Sequence, residues 1–252
     1  MELIAKNLHF QAAGKTILQN IHLQARGNQM IGILGPNGSG KTSLLRHIYG
    51  EYPSTKKVFF DHQDIADLNQ KELAQRVAVL SQQMDMINQS ITVAEIVSMG
   101  RYPYKGLLEN YDQSDKKLVD RILAQNGLSH LHDRKLNTMS GGEVQRTMLA
   151  KALAQQTELL ILDEPTNHLD VKYRVELMEL LKGFPGLVVI TLHDLNLAAN
   201  YCDYLYVLKG GQICGEGYAD EICTDEFLSD VFEVPFAVVH VPQTVIYVKG
   251  HQ

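Results

Sequence analysis

The 252 residues are 45% hydrophobic and 21% charged, which excludes a disordered chain and is enough for one large domain or two small ones. Lys and Arg number 23 against 29 Asp and Glu, a formal net charge of -6, so nucleic acid is not an expected partner. The cysteines, Cys202, Cys214 and Cys223, are odd in number and contain no C-x-x-C pair, which argues for a reducing, cytosolic setting rather than a disulfide framework.

The N-terminus, "MELIAKNLHF", is interrupted by Glu2, Lys6 and His9 and offers neither the apolar core nor the cleavage site of a signal peptide. No apolar run approaches the roughly 18 residues needed to cross a bilayer, so any work at a membrane is expected to go through a partner. "ELIAKNLHF" and "ILQNIHLQA" alternate apolar and polar residues and predict a small antiparallel sheet. "QMIGIL" predicts a buried strand, and "TSLLRHIYG" a helix closing at Gly50.

Between that strand and helix lies "GPNGSGKT", which fits G-x-x-x-x-G-K-[ST] at every fixed position and in the required context. Across Gly35, Pro36, Asn37, Gly38, Ser39 and Gly40 the glycines would let the backbone fold tightly enough for the N–H groups that follow Pro36 to point at phosphate oxygens, with Ser43 continuing the cradle into the helix. Lys41 would neutralise the β- and γ-phosphates, and the Thr42 hydroxyl would ligate Mg²⁺. A glycine turn serving only to join strand to helix is the bland alternative, and it leaves the lysine and threonine unexplained.

From about residue 88 the texture becomes helical. Thr92 and Glu95 form a capping box for "VAEIVSMG", and "SDKKLVDRILAQNG" is an amphipathic helix ending at Gly127. "TMSGGEVQR" places a Gly-Gly pair just before a helical run, an arrangement suited to an anion. "ELLILD" and "LVVITL" are buried-strand candidates, each followed by a helical segment. A parallel α/β core interrupted by a helical insertion is therefore expected. "YLYVL" and "QICGEG" flank Gly210-Gly211 as a hairpin, and the tail closes with a helix at "DEFLSDVF" and strands at "FAVVHV" and "TVIYVK".

"LLILDEPTNHLD" brings Asp163 and Glu164 to the end of a strand. There Asp163 would hold Mg²⁺, directly or through water, and Glu164 would polarise an attacking water as general base. "TLHD" ends the next strand at His193, within potential reach of a γ-phosphate, although a lone histidine at a strand end is by itself usually structural.

Taken in order, these segments resemble the ATP-binding cassette family over essentially the whole chain. "GPNGSGKT" is similar to its Walker A, "LLILDE" to its Walker B, "TMSGGEVQR" to its signature motif, "NHLD" to its D-loop, with Asp170, and "TLHD" to its switch histidine. "VLSQQ" resembles its Q-loop, with Gln82 matching the glutamine that contributes to catalysis and the metal, and Phe10 stands for the aromatic ring that stacks on adenine. The resemblance implies a P-loop NTPase with a RecA-like parallel-sheet core, an N-terminal antiparallel β subdomain and a helical insertion subdomain. Its expected parts are residues 1–87 with 155–223, residues 88–154, and an extension over 224–252. It implies ATP and Mg²⁺ as cofactors and a head-to-tail homodimer in which Ser140, Gly141, Gly142 and Glu143 grip the γ-phosphate bound to the other copy. Met139, Glu143 and Ser81 depart from the commonest family residues without putting nucleotide binding in doubt.

"VSMGRYPYKGLLENY" and "HDLNLAANYCDYLYVLKGG" resemble the ATPases of bacterial importers for iron-siderophore complexes, heme and cobalamin, especially ferric hydroxamates. The implied partners are transmembrane permease subunits and, through them, a substrate-binding protein. The implied location is the cytoplasmic face of the plasma (inner) membrane. Contact with the permease is expected in the groove from about Gln82 to Tyr104. A soluble cassette outside transport and a non-hydrolysing nucleotide-gated module are the competing readings.

Overall fold

The computed structural model describes residues 1–81, 90–106, 109–167, 169–241 and 243–249. Contacts divide the chain into two units, Met1–Asp67 with Met178–Gln252, and Leu68–Leu177.

The first unit opens with antiparallel β1 (Glu2–Ala12) and β2 (Lys15–Arg26), as the alternation predicts. They turn through Ala13 and Gly14, both at positive φ (49° and 76°), the backbone a two-residue hairpin with native twist requires. The alternation breaks in each strand: Ala5 and Leu8 of β1 are buried with Asn7 at φ 46° absorbing an extra residue as a bulge, and Leu18 and Ile21 of β2 are buried with Asn20 at φ 51° doing the same. The next strand, β3 (Met30–Leu34), is buried at every position and feeds the glycine loop and α1 (Lys41–Ile48). Short strands β4 (Val58–Phe60) and β5 (Gln63–Asp64) then extend the sheet on the free edge of β1.

In the second unit α2 (Gln70–Arg76) leads into β6 (Val77–Leu80), neither expected from the sequence. The helical part follows: α3 (Val93–Ser98), α4 (Gln113–Gln125) and α5 (Gly141–Ala154). Val93, Val97, Val119, Leu123, Ala150 and Ala154 form their shared core. Thr92 and Glu95 make the predicted capping box, Thr92 Oγ1 accepting from Glu95 N and Glu95 Oε2 accepting from Thr92 N. Strand β7 (Leu159–Asp163) runs parallel to β6, Leu162 beside Leu80. The chain returns to the first unit through α6 (Val171–Lys182).

There β3 is flanked by two parallel strands, β8 (Leu187–Thr191) on one side and β9 (Tyr204–Lys209) on the other, with α7 (Leu195–Tyr201) between β8 and β9 in sequence. Antiparallel β10 (Gln212–Gly217) follows β9 through Gly210 and Gly211, the expected hairpin. A one-turn α8 (Ala219–Ile222) and α9 (Asp225–Phe232) lead to the final antiparallel pair, β11 (Phe236–Val241) and β12 (Gln243–Val248). Among the described residues no helix is long and apolar enough to cross a membrane.

Candidate functional site

The candidate residues fall into two sets, one in each unit. In the first, the register of β3 and β8 aligns the elements that carry chemistry. Ile33 pairs with Thr191, so Gly35 and His193, each two residues further on, leave the same end of adjacent parallel strands. Leu192 N–H donates to Ile33 O at 3.4 Å, and His193 is exposed beyond it.

Gly35, Gly38 and Gly40 hold the loop at φ 143°, 77° and 106°, and a Cβ on Gly35 would collide with the Leu208 carbonyl. Only glycine fits this turn. Gly40 precedes the first turn of α1, so Lys41, Thr42 and Ser43 sit where the helix N-terminus presents unpaired N–H groups. Lys41 is 5% exposed, and its ammonium donates to Gly35 O at 2.8 Å and Pro36 O at 3.2 Å. That holds a positive charge over the loop's concave side, and a phosphate oxygen can take the place of a carbonyl. Ser39 is buried, its N–H donates to Pro36 O at 3.2 Å, and its carbonyl accepts from Gly211 N at 3.1 Å. The β9–β10 turn therefore braces the phosphate loop. Sequence reasoning found the turn but not the brace, because only the fold brings residue 211 to residue 39.

Phe10 does not stand alone. Its ring stacks on Tyr52 at 4.8 Å and 27° and meets His47 edge-on at 4.9 Å, while Arg46 donates to the Tyr52 hydroxyl at 2.9 Å. Burial lowers the His47 imidazole below its ordinary 6.5. Its Nδ1 lies 2.7 Å from Ser54 Oγ.

In the second unit Asp163 ends β7, buried, and Glu164 follows at φ 51°. A left-handed backbone at a non-glycine residue costs energy and is found where a side chain must be aimed. Asn167 Nδ2 donates to Glu164 Oε2 at 2.8 Å, and Asn167 N to Glu164 O at 3.2 Å. Asn167 is the second residue that sequence reasoning passed over, although it lies inside the quoted "NHLD". Asp170 accepts from Tyr173 N at 3.0 Å and so starts α6.

Ser140 caps α5. Its hydroxyl accepts from Glu143 N at 3.3 Å, and Glu143 Oε2 accepts from Ser140 N at 2.8 Å and Ser140 Oγ at 2.9 Å. Those bonds, first the backbone one, hold the Glu143 carboxyl below its ordinary value. A Cβ on Gly141 would meet nothing within 4 Å, so this helix start is open to a ligand. Gln145 Nε2 donates to Pro165 O at 3.2 Å, which ties the signature helix to the loop after β7. Gln82 lies outside the described residues.

The "GRYPY" stretch is a 3₁₀ turn whose Arg101 is largely buried. Its guanidinium bonds Asp115 at 3.1 Å, Ala154 O at 3.0 Å and Gln156 at 3.2 Å, and it lies 4.3 Å from the Tyr104 ring centroid. Tyr102 by contrast is 58% exposed. It helps line a groove of about 640 Å³ with Ala94, Ser98, Met99 and Val119.

Comparison with known proteins gives three kinds of match. The ABC transporter family model matches residues 18–167. A hemin import ATP-binding protein of Bradyrhizobium diazoefficiens is 38% identical over 97% of this chain and 92% of its own length. The ferric enterobactin transport ATP-binding protein of Escherichia coli is 34% identical over 90% and 85%. An ABC transporter ATP-binding protein of Bacillus subtilis is 38% identical over 89% of this chain, which spans only 52% of that relative. A solved dimer of an ATP-binding cassette, in a post-hydrolysis state with ADP and phosphate, superposes with a TM-score of 0.75 at 27% identity, covering 86% of this chain and 98% of that one.

Proposed function

The chain belongs to the ABC transporter family, and from that premise we propose that it is the ATP-hydrolysing subunit of an importer that energises uptake of an iron-siderophore complex through a membrane permease. The observation that carries the nucleotide half is the buried Lys41 held over a glycine loop at a helix start. The importer half rests on relatives named for hemin and ferric enterobactin.

In this reading the loop from Gly35 to Ser43 wraps the phosphates, and Lys41 exchanges its carbonyl partners for β- and γ-oxygens. Thr42 and Asp163, with Gln82, would hold Mg²⁺. An alcohol and a carboxylate are hard oxygen donors, and among the described residues there is no cluster of three or more His, Cys, Asp or Glu. That donor set suits an ion that keeps water and phosphate ligands. The metal would supply charge neutralisation to the transferring phosphoryl group. Glu164, aimed by Asn167, takes the proton of the attacking water, and His193 contacts the γ-phosphate. Phe10, half-buried against Tyr52 and His47, carries the base.

The open start of α5, at Ser140, Gly141 and Gly142, binds the γ-phosphate held by a second copy, with Glu143 yielding its bonds to Ser140 as the anion arrives and Asp170 lying along the dimer seam. The helical part, residues 88–154, offers the Tyr102 groove to the permease, and the substrate-binding protein is reached only through that permease. The chain then sits on the cytoplasmic face of the membrane. A second cargo reading, heme, is favoured by the higher identity of the hemin relative.

Glu164→Gln should keep ATP binding, lose about 100-fold or more in hydrolysis and accumulate as an ATP-bound dimer on gel filtration. Lys41→Ala should lose ATP binding. A Glu164→Gln protein that hydrolyses ATP at the parental rate contradicts the assignment.

A further inference from the structure

The switch histidine and the C-terminal hairpin are some 50 residues apart, yet a short run of hydrogen bonds joins them. Asp194, next to His193, starts α7: its Oδ1 accepts from Asn196 N at 3.0 Å and Leu197 N at 3.1 Å. With only seven residues, α7 is too short to hold its own direction, so its neighbours must fix it. Leu195, Ala198 and Cys202 face the interior. Asn196 and Asn200, one turn apart, face the other way, onto the outer edge of β12.

Each asparagine treats that edge as a paired strand would. Asn196 Nδ2 donates to Ile246 O at 3.1 Å, and its Oδ1 accepts from Ile246 N at 2.7 Å. Asn200 repeats the pattern at Thr244, donating to O at 2.7 Å and accepting from N at 3.0 Å. Residues i and i+4 of a helix rise about 6 Å, and residues i and i+2 of a strand about 6.6 Å, so two amides match two outward-facing peptide groups. The hairpin in turn is fixed on its far edge by α9, where Ser229 Oγ accepts from Phe236 N at 2.8 Å and Asp225 Oδ1 from Val238 N at 2.7 Å.

Both edges are thus closed, which already serves to block strand addition. The arrangement does more than that, because a hairpin held rigidly on one side is bonded on the other to the helix that begins directly behind His193. We propose that Asn196 and Asn200 are positioning residues: the β11–β12 hairpin acts through them to hold α7, and with it His193, at the distance hydrolysis requires. This rests on the role proposed above for His193.

Two variants approach the contact from opposite sides. Asn196→Ala with Asn200→Ala removes both amides. Thr244→Pro removes the outward N–H donated to Asn200, which an edge strand tolerates, together with the hydroxyl 3.1 Å from His240 Nδ1; Thr244→Ala removes the same hydroxyl but keeps that N–H and is the control. Steady-state hydrolysis by the full chain, equilibrium ATP binding and thermal melting are measured together.

The double variant and Thr244→Pro should each lose about tenfold in kcat, with ATP affinity within about twofold of the parent and cooperative melting retained, the pattern of a displaced group rather than a lost nucleotide site. Thr244→Ala should match the parent. Parental kcat in both test variants, while His193→Ala is inactive, would overturn the positioning role and leave the histidine's role standing. Parallel losses of affinity, kcat and melting temperature would reduce the hairpin to a structural prop and also overturn it. Parental hydrolysis by His193→Ala would remove the role on which the inference rests.

Discussion

Glu164 and Asn167 illustrate what a single position can and cannot announce. A carboxylate following an apolar strand is readable, because β7 must end where Asp163 and Glu164 begin. The amide that steadies it is not, since Asn167 reaches Glu164 only through a turn with φ 51° at the glutamate. Asn167→Ala should lower kcat by about tenfold while leaving ATP affinity nearly unchanged, as measured by hydrolysis and equilibrium binding side by side.

His47 supports a prediction of another kind. Its folded-state value is lowered from 6.5 by burial, so below 6.5 the unfolded chain binds the extra proton more readily. The stability it contributes is fully present above 6.5 and is lost as pH falls through the window toward the folded value. His47→Gln should flatten the dependence of the denaturation midpoint on pH in that window. An unchanged slope would mean that other groups set it.

At the scale of elements, long periodic segments were legible and short ones were not. β1, β2, α4 and the β9–β10 hairpin follow from alternation, helical spacing and a Gly-Gly turn. The stretch from Val58 to Leu80 holds two strands, a seven-residue helix and a third strand, each too short to show a period. β6 is a strand because β7 pairs with it, a fact about residue 159 rather than residue 77. The same limit hid the brace from Gly211 to Ser39. Gly211 sits at φ 80°, and a Cβ there would strike the Ile17 carbonyl. Gly211→Ala should therefore cost about 1–3 kcal/mol of stability in denaturant titration and weaken ATP binding through the phosphate loop. A variant as stable as the parent would show that the turn relaxes freely.

For the molecule as a whole, the burial of chemistry follows the same logic. Burial raises the Cys202 thiol well above its ordinary value and Cys223 to about 11, which keeps both in the weakly nucleophilic thiol form. The candidate site was legible as a set of ordered motifs, because each couples a strand end to a glycine or a charge. Its division between two compact units was not, since nothing local marks Asp67 or Leu177 as a boundary. Cargo is less legible still: relatives of 38% and 34% identity are named for hemin and for ferric enterobactin, so similarity along this chain does not separate the two.

In the proposed reading, ATP use at Lys41 drives import of an iron chelate. The most direct measurement is uptake of radioiron, supplied as a ferric hydroxamate, by the source cell carrying either the parental chain or Lys41→Ala at the native locus. Uptake should be lost with Lys41→Ala at equal protein level. Uptake at the parental rate would contradict that reading.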